Sequence, residues 1–151
     1  MTSTIKWSIK PFHDLTITEL YNCLQLRTQV FVVEQNCVFQ DMDGKDAFAL
    51  HLLAYDGQKN VACARLFKAG DYYNLSSIGR VVVAPDYRSL KLGHQLMTHA
   101  ITGIKTHFNT TTIKIGAQLY LKKFYESHGF VISSAMYLED GIEHIEMIKN
   151  N

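Results

Sequence analysis

The chain has 151 residues, 47% of them hydrophobic and 19% charged, with a formal net charge of +1. That length suits one compact domain with a sizeable core, and near-neutrality excludes the basic footprint of a nucleic-acid binder. No apolar run approaches the ~20 residues that span a bilayer, and no basic flank leads into an apolar signal core, so a cytoplasmic protein with neither nucleic-acid nor membrane partner is expected.

Taken in chain order, residues 5–10 read as a first strand, stopped near Pro11. Thr16 or Thr18 can cap a helix running to about Gln35, with Leu20, Leu24, Arg27 and Phe31 along one side. A loop over 36–46 carries Asp41, Asp43, Asp46 and Gly44. These acids lack the final glutamate of a calcium loop and read instead as a solvated rim that attracts a cationic amine. Strands over 50–55 and 61–68 form a hairpin across Asp56-Gly57. A central strand covers 75–83, where Val81-Val82-Val83 has the β-branched character of a strand buried on both faces. Pro85 ends it. From Ser89 the period changes: Leu92, Leu96, Ala100, Ile104 and Phe108 recur every four residues and form the core stripe of a helix. A strand over 113–117, a short helix containing Tyr125 and closed by Gly129, and a hairpin of 130–137 with 142–149 across Asp140-Gly141 complete the chain. The order β–α–β–β–β–α–β–α–β–β predicts a single α/β (α+β) domain over 1–151.

The three cysteines, Cys23, Cys37 and Cys63, have no Cys-x-x-Cys spacing. They exclude a disulfide framework or a zinc site and read as buried thiols, with Cys37 the one near a cleft. No histidine pair has metalloprotease spacing, so no metal is expected. His13, His99, His107 and His128 read as surface or helix-face residues.

The junction after the central strand carries the chemistry. A helix beginning near Ser89 leaves its first N–H groups without internal partners, and with the helix dipole they form an anion site suited to a pyrophosphate. Arg88 and Lys91 add positive charge, Gly93 lets a ligand approach the backbone, and His94 is within reach of a phosphate.

Arg88-Ser89-Leu90-Lys91-Leu92-Gly93 resembles the acyl-CoA loop Gln/Arg-x-x-Gly-x-Gly/Ala of the GNAT superfamily of N-acyltransferases, with Lys91 in place of the middle glycine. The run from Gln118 to Phe130 resembles the later motif Asn-x-x-Ala-x-x-Leu-Tyr-x-x-x-Gly-Phe: Gln118 stands for the Asn, Leu121 for the Ala, and Tyr125, Gly129 and Phe130 match. Leu26-Arg27-Thr28-Gln29-Val30-Phe31-Val32-Val33-Glu34-Gln35-Asn36-Cys37, then Gln40-Asp41-Met42-Asp43-Gly44, Ile78-Gly79-Arg80-Val81 and Glu139-Asp140-Gly141-Ile142-Glu143-His144, are similar to the ElaA-like branch, which also carries lysine where Lys91 stands.

The resemblance implies a mixed sheet of about seven strands, splayed into a V-shaped cleft and flanked by helices, and direct transfer of an acetyl group from acetyl-CoA to a primary amine. It places the backbone of Val81, Val82 and Val83 against pantetheine, and the N–H groups of Arg88, Ser89, Leu90, Lys91, Leu92, Gly93 and His94 at the phosphates. Tyr125 becomes the acid that protonates the leaving thiolate, and Gln118 a holder of cofactor or tyrosine. Glu34, closing an apolar run, and His144, between apolar neighbours on the last strand, are the candidate bases, Glu34 through a desolvated carboxyl with a raised pKa. His51, Arg80 and Asp41 are candidates for the substrate pocket, with a structural salt bridge the alternative for Arg80 and Arg65. A non-catalytic acyl-CoA sensor on the same fold is the alternative function. The last strand offers an edge for a homodimer.

Overall fold

The computed structural model describes residues 4–150. Its strands are β1 (Ile5–Pro11), β2 (Leu50–Asp56), β3 (Lys59–Phe67), β4 (Ser76–Val83), β5 (Ile113–Gln118), β6 (Val131–Ile132), β7 (Tyr137–Glu139) and β8 (Ile142–Lys149). The helices are α1 (Ile17–Arg27), α2 (Leu92–Phe108) and α3 (Lys122–Glu126). The strands form one sheet in the order β1-β2-β3-β4-β5-β8-β6, with β7 also on β8. β4 and β5 are parallel and the other pairs antiparallel.

The apolar stripe of α2 explains its docking. Leu96, Met97, Ala100 and Ile104 are wholly buried against β3 and its neighbours. Gly103 is required there, because a Cβ would lie 2.7 Å from Ile9 Cδ1 and 2.9 Å from Leu66 Cδ1. At α1 the capping residue is Thr16: its hydroxyl accepts from the Glu19 N–H at 3.0 Å, and Glu19 accepts the Thr16 N–H at 2.9 Å, a capping box. Cys23 on α1 and Cys63 on β3 are buried with their Sγ atoms 3.5 Å apart.

Four features differ from the sequence expectation. The helix expected to reach Gln35 changes at Thr28 into a π-helical segment, Thr28–Glu34. Val30 C=O accepts from Gln35 N–H and Val32 C=O from Cys37 N–H, both five residues on. Thr28 Oγ1 donates back to Leu24 C=O at 2.9 Å, a bond that bends helices, and the β-branched run that follows is a poor α-helix former. Second, α2 starts at Leu92, after a 3-10 turn over Pro85–Leu90 and Lys91 in the left-handed region (φ 58°). Third, the arm expected over 130–137 splits into β6 and β7, because Ser134 Oγ takes the Glu146 N–H at 2.9 Å in place of a ladder carbonyl. Fourth, β8 pairs with β5 on one side and with β6 and β7 on the other, so it is no free edge for a homodimer.

The acids of the 36–46 loop form no solvated rim. Asp41 is buried and accepts from Arg27 Nε at 2.7 Å and Arg80 Nε at 2.8 Å. Arg65 reaches Asp43 at 2.8 Å and Asp46 at 3.1 Å, and Arg27 reaches Asp46 at 2.8 Å. Arg27 is 1% and Arg65 2% exposed. Guanidinium groups so deeply buried demand paired carboxylates, and the loop supplies them.

Burial would raise the Asp43 carboxyl, but hydrogen bonds from Arg65 and the Lys45 N–H, with the charges of Arg65 and Arg80, hold it well below the usual range. Asp46 is lowered against its own burial by Arg27 and Arg65. Carboxyls depressed in the folded state contribute stability that is fully present above the unfolded pKa of about 4 and lost as pH falls toward the folded value. The urea midpoint should therefore fall steeply below about pH 4, with a shallower fall in Asp43→Asn. Arg27→Ala, which takes from Asp41 and Asp46 one of their two guanidinium partners, should cost about 3 kcal/mol in urea unfolding at pH 7.

Candidate functional site

β4 and β5 share only the pairs Ser76↔Ile113 and Ser77↔Lys114 and then part. From there to Val83 and Gln118 the facing edges have no strand between them, and a cleft of about 700 Å³ opens. β4 is also irregular on its other side. Cys63 faces Val82 and Arg65 faces Gly79, so Ala64 alone opposes Arg80 and Val81. Arg80 has φ +48°. This is a β-bulge, which leaves one residue out of the ladder and frees backbone N–H groups beside the cleft. Val81, Val82 and Val83 line it, with Val82 turned most deeply into the core.

At the wide end, the 3-10 turn and the start of α2 bring Arg88, Lys91, Gly93 and His94 to the cleft. Ser89 and Leu90 lie in the turn and Leu92 in the core. The left-handed backbone of Lys91 is the conformation that favours the glycine it replaces. The N–H groups of His94 and Gln95 already donate to Lys91 C=O at 3.2 and 3.5 Å, so of the first turn of α2 it is Leu92 and Gly93 whose N–H groups precede the helical bonds. Packing does not require glycine at 93: a Cβ would stand 3.6 Å from Phe124 and 3.9 Å from Val83, at ordinary contact. What it would narrow is the cleft those side chains line. His94 Nδ1 is 2.9 Å from His128 Nε2, so this ring is held toward α3.

Arg88 is engaged. Its guanidinium forms a bidentate pair with Glu34 at 2.6 Å on both arms, and its Nε donates to Val83 C=O at 3.3 Å. Through this bond and charge Arg88 holds the Glu34 carboxyl below its ordinary range. The desolvated Glu34 base is thereby corrected: the carboxylate is half exposed, ion-paired and weakened as a base. The π-helical segment is what turns Phe31 and Glu34 toward the cleft.

Tyr125 on α3 is 6% exposed, packed on Phe124 and Phe130, and lines the cleft. Its hydroxyl has no hydrogen-bond partner among the described residues. Burial pushes its pKa well above the ordinary phenol value, so it is protonated at every physiological pH. Gln118 exchanges amide hydrogen bonds with Gln35 at 3.1 and 3.3 Å, bridging β5 to the segment after α1. His144 stands opposite Gln118 in the β5–β8 register. Its Nδ1 is 2.7 Å from Ile142 C=O. A carbonyl only accepts, so Nδ1 carries the hydrogen and Nε2 of the neutral ring keeps its lone pair. Nε2 is 3.5 Å from Glu139.

Two further candidates fall outside the cleft. His51 is 1% exposed and donates from Nε2 to Asp46 C=O at 2.8 Å, because β2 turns it under the acidic loop. Asp41 is spent on Arg27 and Arg80. Arg80 does line the cleft, but its Nε and Nη2 hold Asp41. Sequence reasoning missed Phe39, Phe67, Tyr72, Tyr73 and Glu139, which also line the cleft. The available signal was the Tyr72-Tyr73 pair, two large rings in a polar connection between strands.

The model of the acetyltransferase (GNAT) domain matches residues 19–151. The chain belongs to the GNAT acetyltransferase family. It is 40% identical to protein ElaA of Escherichia coli over 147 residues, 96% of each chain. A UPF0039 protein of Schizosaccharomyces pombe is equally similar, at 40% over 96% of this chain and 97% of its own. In structure it is similar to an acyl-CoA N-acyltransferase from Pseudomonas aeruginosa (TM-score 0.92, 40% identity, 97% of this chain and 99% of that one) and to Escherichia coli ElaA (TM-score 0.91, 39% identity, 97% and 100%). Membership makes this GNAT protein an acyltransferase, and the GNAT fold takes acyl-CoA as co-substrate. No helix among the described residues is long and apolar enough to cross a membrane.

If the turn and α2 hold the acyl-CoA phosphates, Gly93→Glu should weaken acetyl-CoA binding at least about tenfold through crowding and like charge. Calorimetric titration reads this, with thermal unfolding as the control for folding. Undiminished affinity would put the phosphates elsewhere.

Proposed function

We propose that the protein is an acetyl-CoA-dependent N-acetyltransferase that transfers directly to a primary amine within a ternary complex. The observation that carries this reading is the fork between β4 and β5, with the Arg80 bulge on one arm and Tyr125 and His144 lining the same cleft.

The free edge of β4 can pair with the amides of pantetheine as a further strand would. Lys91 and the α2 N-terminus supply positive field for the pyrophosphate. An unpaired β4 N–H near the bulge can donate to the thioester oxygen as it gains charge, and one such preorganised donor is typically worth about 3 kcal/mol of barrier. His144 Nε2 takes a proton from the incoming ammonium, directly or through water. The amine nitrogen then attacks the acetyl carbon, forming the C–N bond, and the C–S bond breaks. Tyr125 gives its proton to the departing thiolate and recovers one from the amide nitrogen. The net release is one proton.

Burial serves the tyrosine in this role. A phenol kept neutral and without another hydrogen-bond partner is free to turn toward the sulfur. The free Tyr125 hydroxyl and the unbonded lone pair of His144 favour turnover over a silent acyl-CoA sensor.

Tyr125→Phe should lower kcat about 100-fold or more while leaving the acetyl-CoA Kd within about twofold, read by thiol release and calorimetry. His144→Gln should lower kcat/KM for the amine by about 100-fold. An unchanged rate in either variant would remove that residue from the mechanism.

A further inference from the structure

Beyond the catalytic groups, the cleft ends in a wall of rings. Phe67 and Tyr72 stand with centroids 5.2 Å apart, and Tyr72 and Tyr73 4.9 Å apart. Tyr73 meets Tyr137 over Gly116: a Cβ there would lie 2.9 Å from one hydroxyl and 3.0 Å from the other. Tyr137 in turn stacks on His144, with centroids 5.8 Å apart. Tyr137, behind the cleft lining, thus links the Tyr72-Tyr73 pair to the imidazole. Burial raises the pKa of both phenols, so the wall is uncharged.

The charges around this end are one-sided. Arg80 is neutralised by Asp41 and, at 3.5 Å, by Asp43. Lys114, over the Tyr73 ring, is paired with Glu146 at 3.2 Å. Lys45 stands over Tyr72 at 5.6 Å, outside the cleft lining. The lining groups beside His144 are Glu139, with its side chain 53% exposed, and Asp140. An ammonium placed there meets carboxylates and an aromatic face. A carboxylate on the same carbon as that ammonium meets repulsion, and the lining guanidinium groups, Arg80 and Arg88, are already paired with Asp41 and Glu34.

We propose that the acceptor is an arylalkylamine, a primary amine on a short alkyl arm with an aromatic body and no carboxylate beside the nitrogen. The ring packs on Tyr72 and Tyr73, and the ammonium sits between Glu139 and His144. The reaction is the one already derived: the C–N bond forms, the C–S bond of acetyl-CoA breaks, and one proton leaves through His144. This inference rests on the acetyltransferase reading, and its test separates the two.

Acetyl-CoA binding is measured first by calorimetry. Thiol release is then compared for phenethylamine, phenylalanine and ethylamine. Phenethylamine should exceed phenylalanine in kcat/KM by at least about tenfold, from the repulsion at Glu139. It should exceed ethylamine by a similar factor, from burial of the ring. Glu139→Gln should narrow the first ratio, and Tyr72→Ala should narrow the second. A protein that binds acetyl-CoA but prefers phenylalanine, or turns over none of the three amines, overturns the acceptor class and leaves the cofactor site standing. Ratios unmoved by both variants also overturn it. Failure to bind acetyl-CoA overturns the acetyltransferase reading itself, and the acceptor class with it.

Discussion

The arrangement depends on a buried ionic cluster. Arg27 comes from α1, Arg65 from β3 and Arg80 from β4, while Asp41, Asp43 and Asp46 come from one loop. None of these guanidinium groups could be taken from water unpaired, so the loop must close over them. Closure brings Cys37 and Phe39 to the cleft. It also bears on the bulge. A left-handed backbone costs a residue with a Cβ about 1–2 kcal/mol, and two hydrogen bonds from Arg80 to Asp41 offset that cost. The same ion pairs that hold the loop therefore help hold the irregularity in β4.

The second constraint is the early parting of β4 and β5. A parallel pair that continued to Val83 and Gln118 would satisfy its own backbone and leave no room for a ligand. Each arm is instead secured from its far side. β4 rests on β3, and β5 runs in full register with β8 from Ile113↔Lys149 to Gln118↔His144. The rigid arms keep the cleft open, and small contacts span its mouth: Glu34 to Arg88 and Gln35 to Gln118. Both contacts start from the π-helical segment and the residue after it. The wider turn there gives up regular helix geometry to reach the sheet, which accords with the frequency of such segments at functional sites.

The cleft is also graded in charge. Lys91 and the N-terminus of α2 follow the β4 arm, and Glu139 and Asp140 stand by β8, on the β5 arm. Tyr125 and His144 line the space with both. On the proposed reading, an anionic donor and a cationic acceptor are drawn to different arms of one cleft. The buried arginines contribute little to this gradient, because each is matched by carboxylates at hydrogen-bond distance.

What the sequence determined by itself was local and periodic. The four-residue stripe from Leu92 to Phe108, the alternation and turn residues of the β2–β3 hairpin, and the valine run of β4 specify their elements because backbone geometry sets those periods. The fold family was legible in Arg88 to Gly93 and in Tyr125-x-x-x-Gly129-Phe130, short stretches whose residues act together. Tertiary structure alone decided the meaning of the polar residues. Asp41 and His51 look like pocket residues until Arg27, Arg80 and Asp46 C=O are found against them, and Glu34 looks like a base until Arg88, 54 residues away, is found on its carboxylate. The ring wall needed Gly116 to bring Tyr73 and Tyr137 together from separate elements. A side chain's charge state and availability depend on its neighbours in space, and those neighbours come from elements that only the folded sheet places side by side.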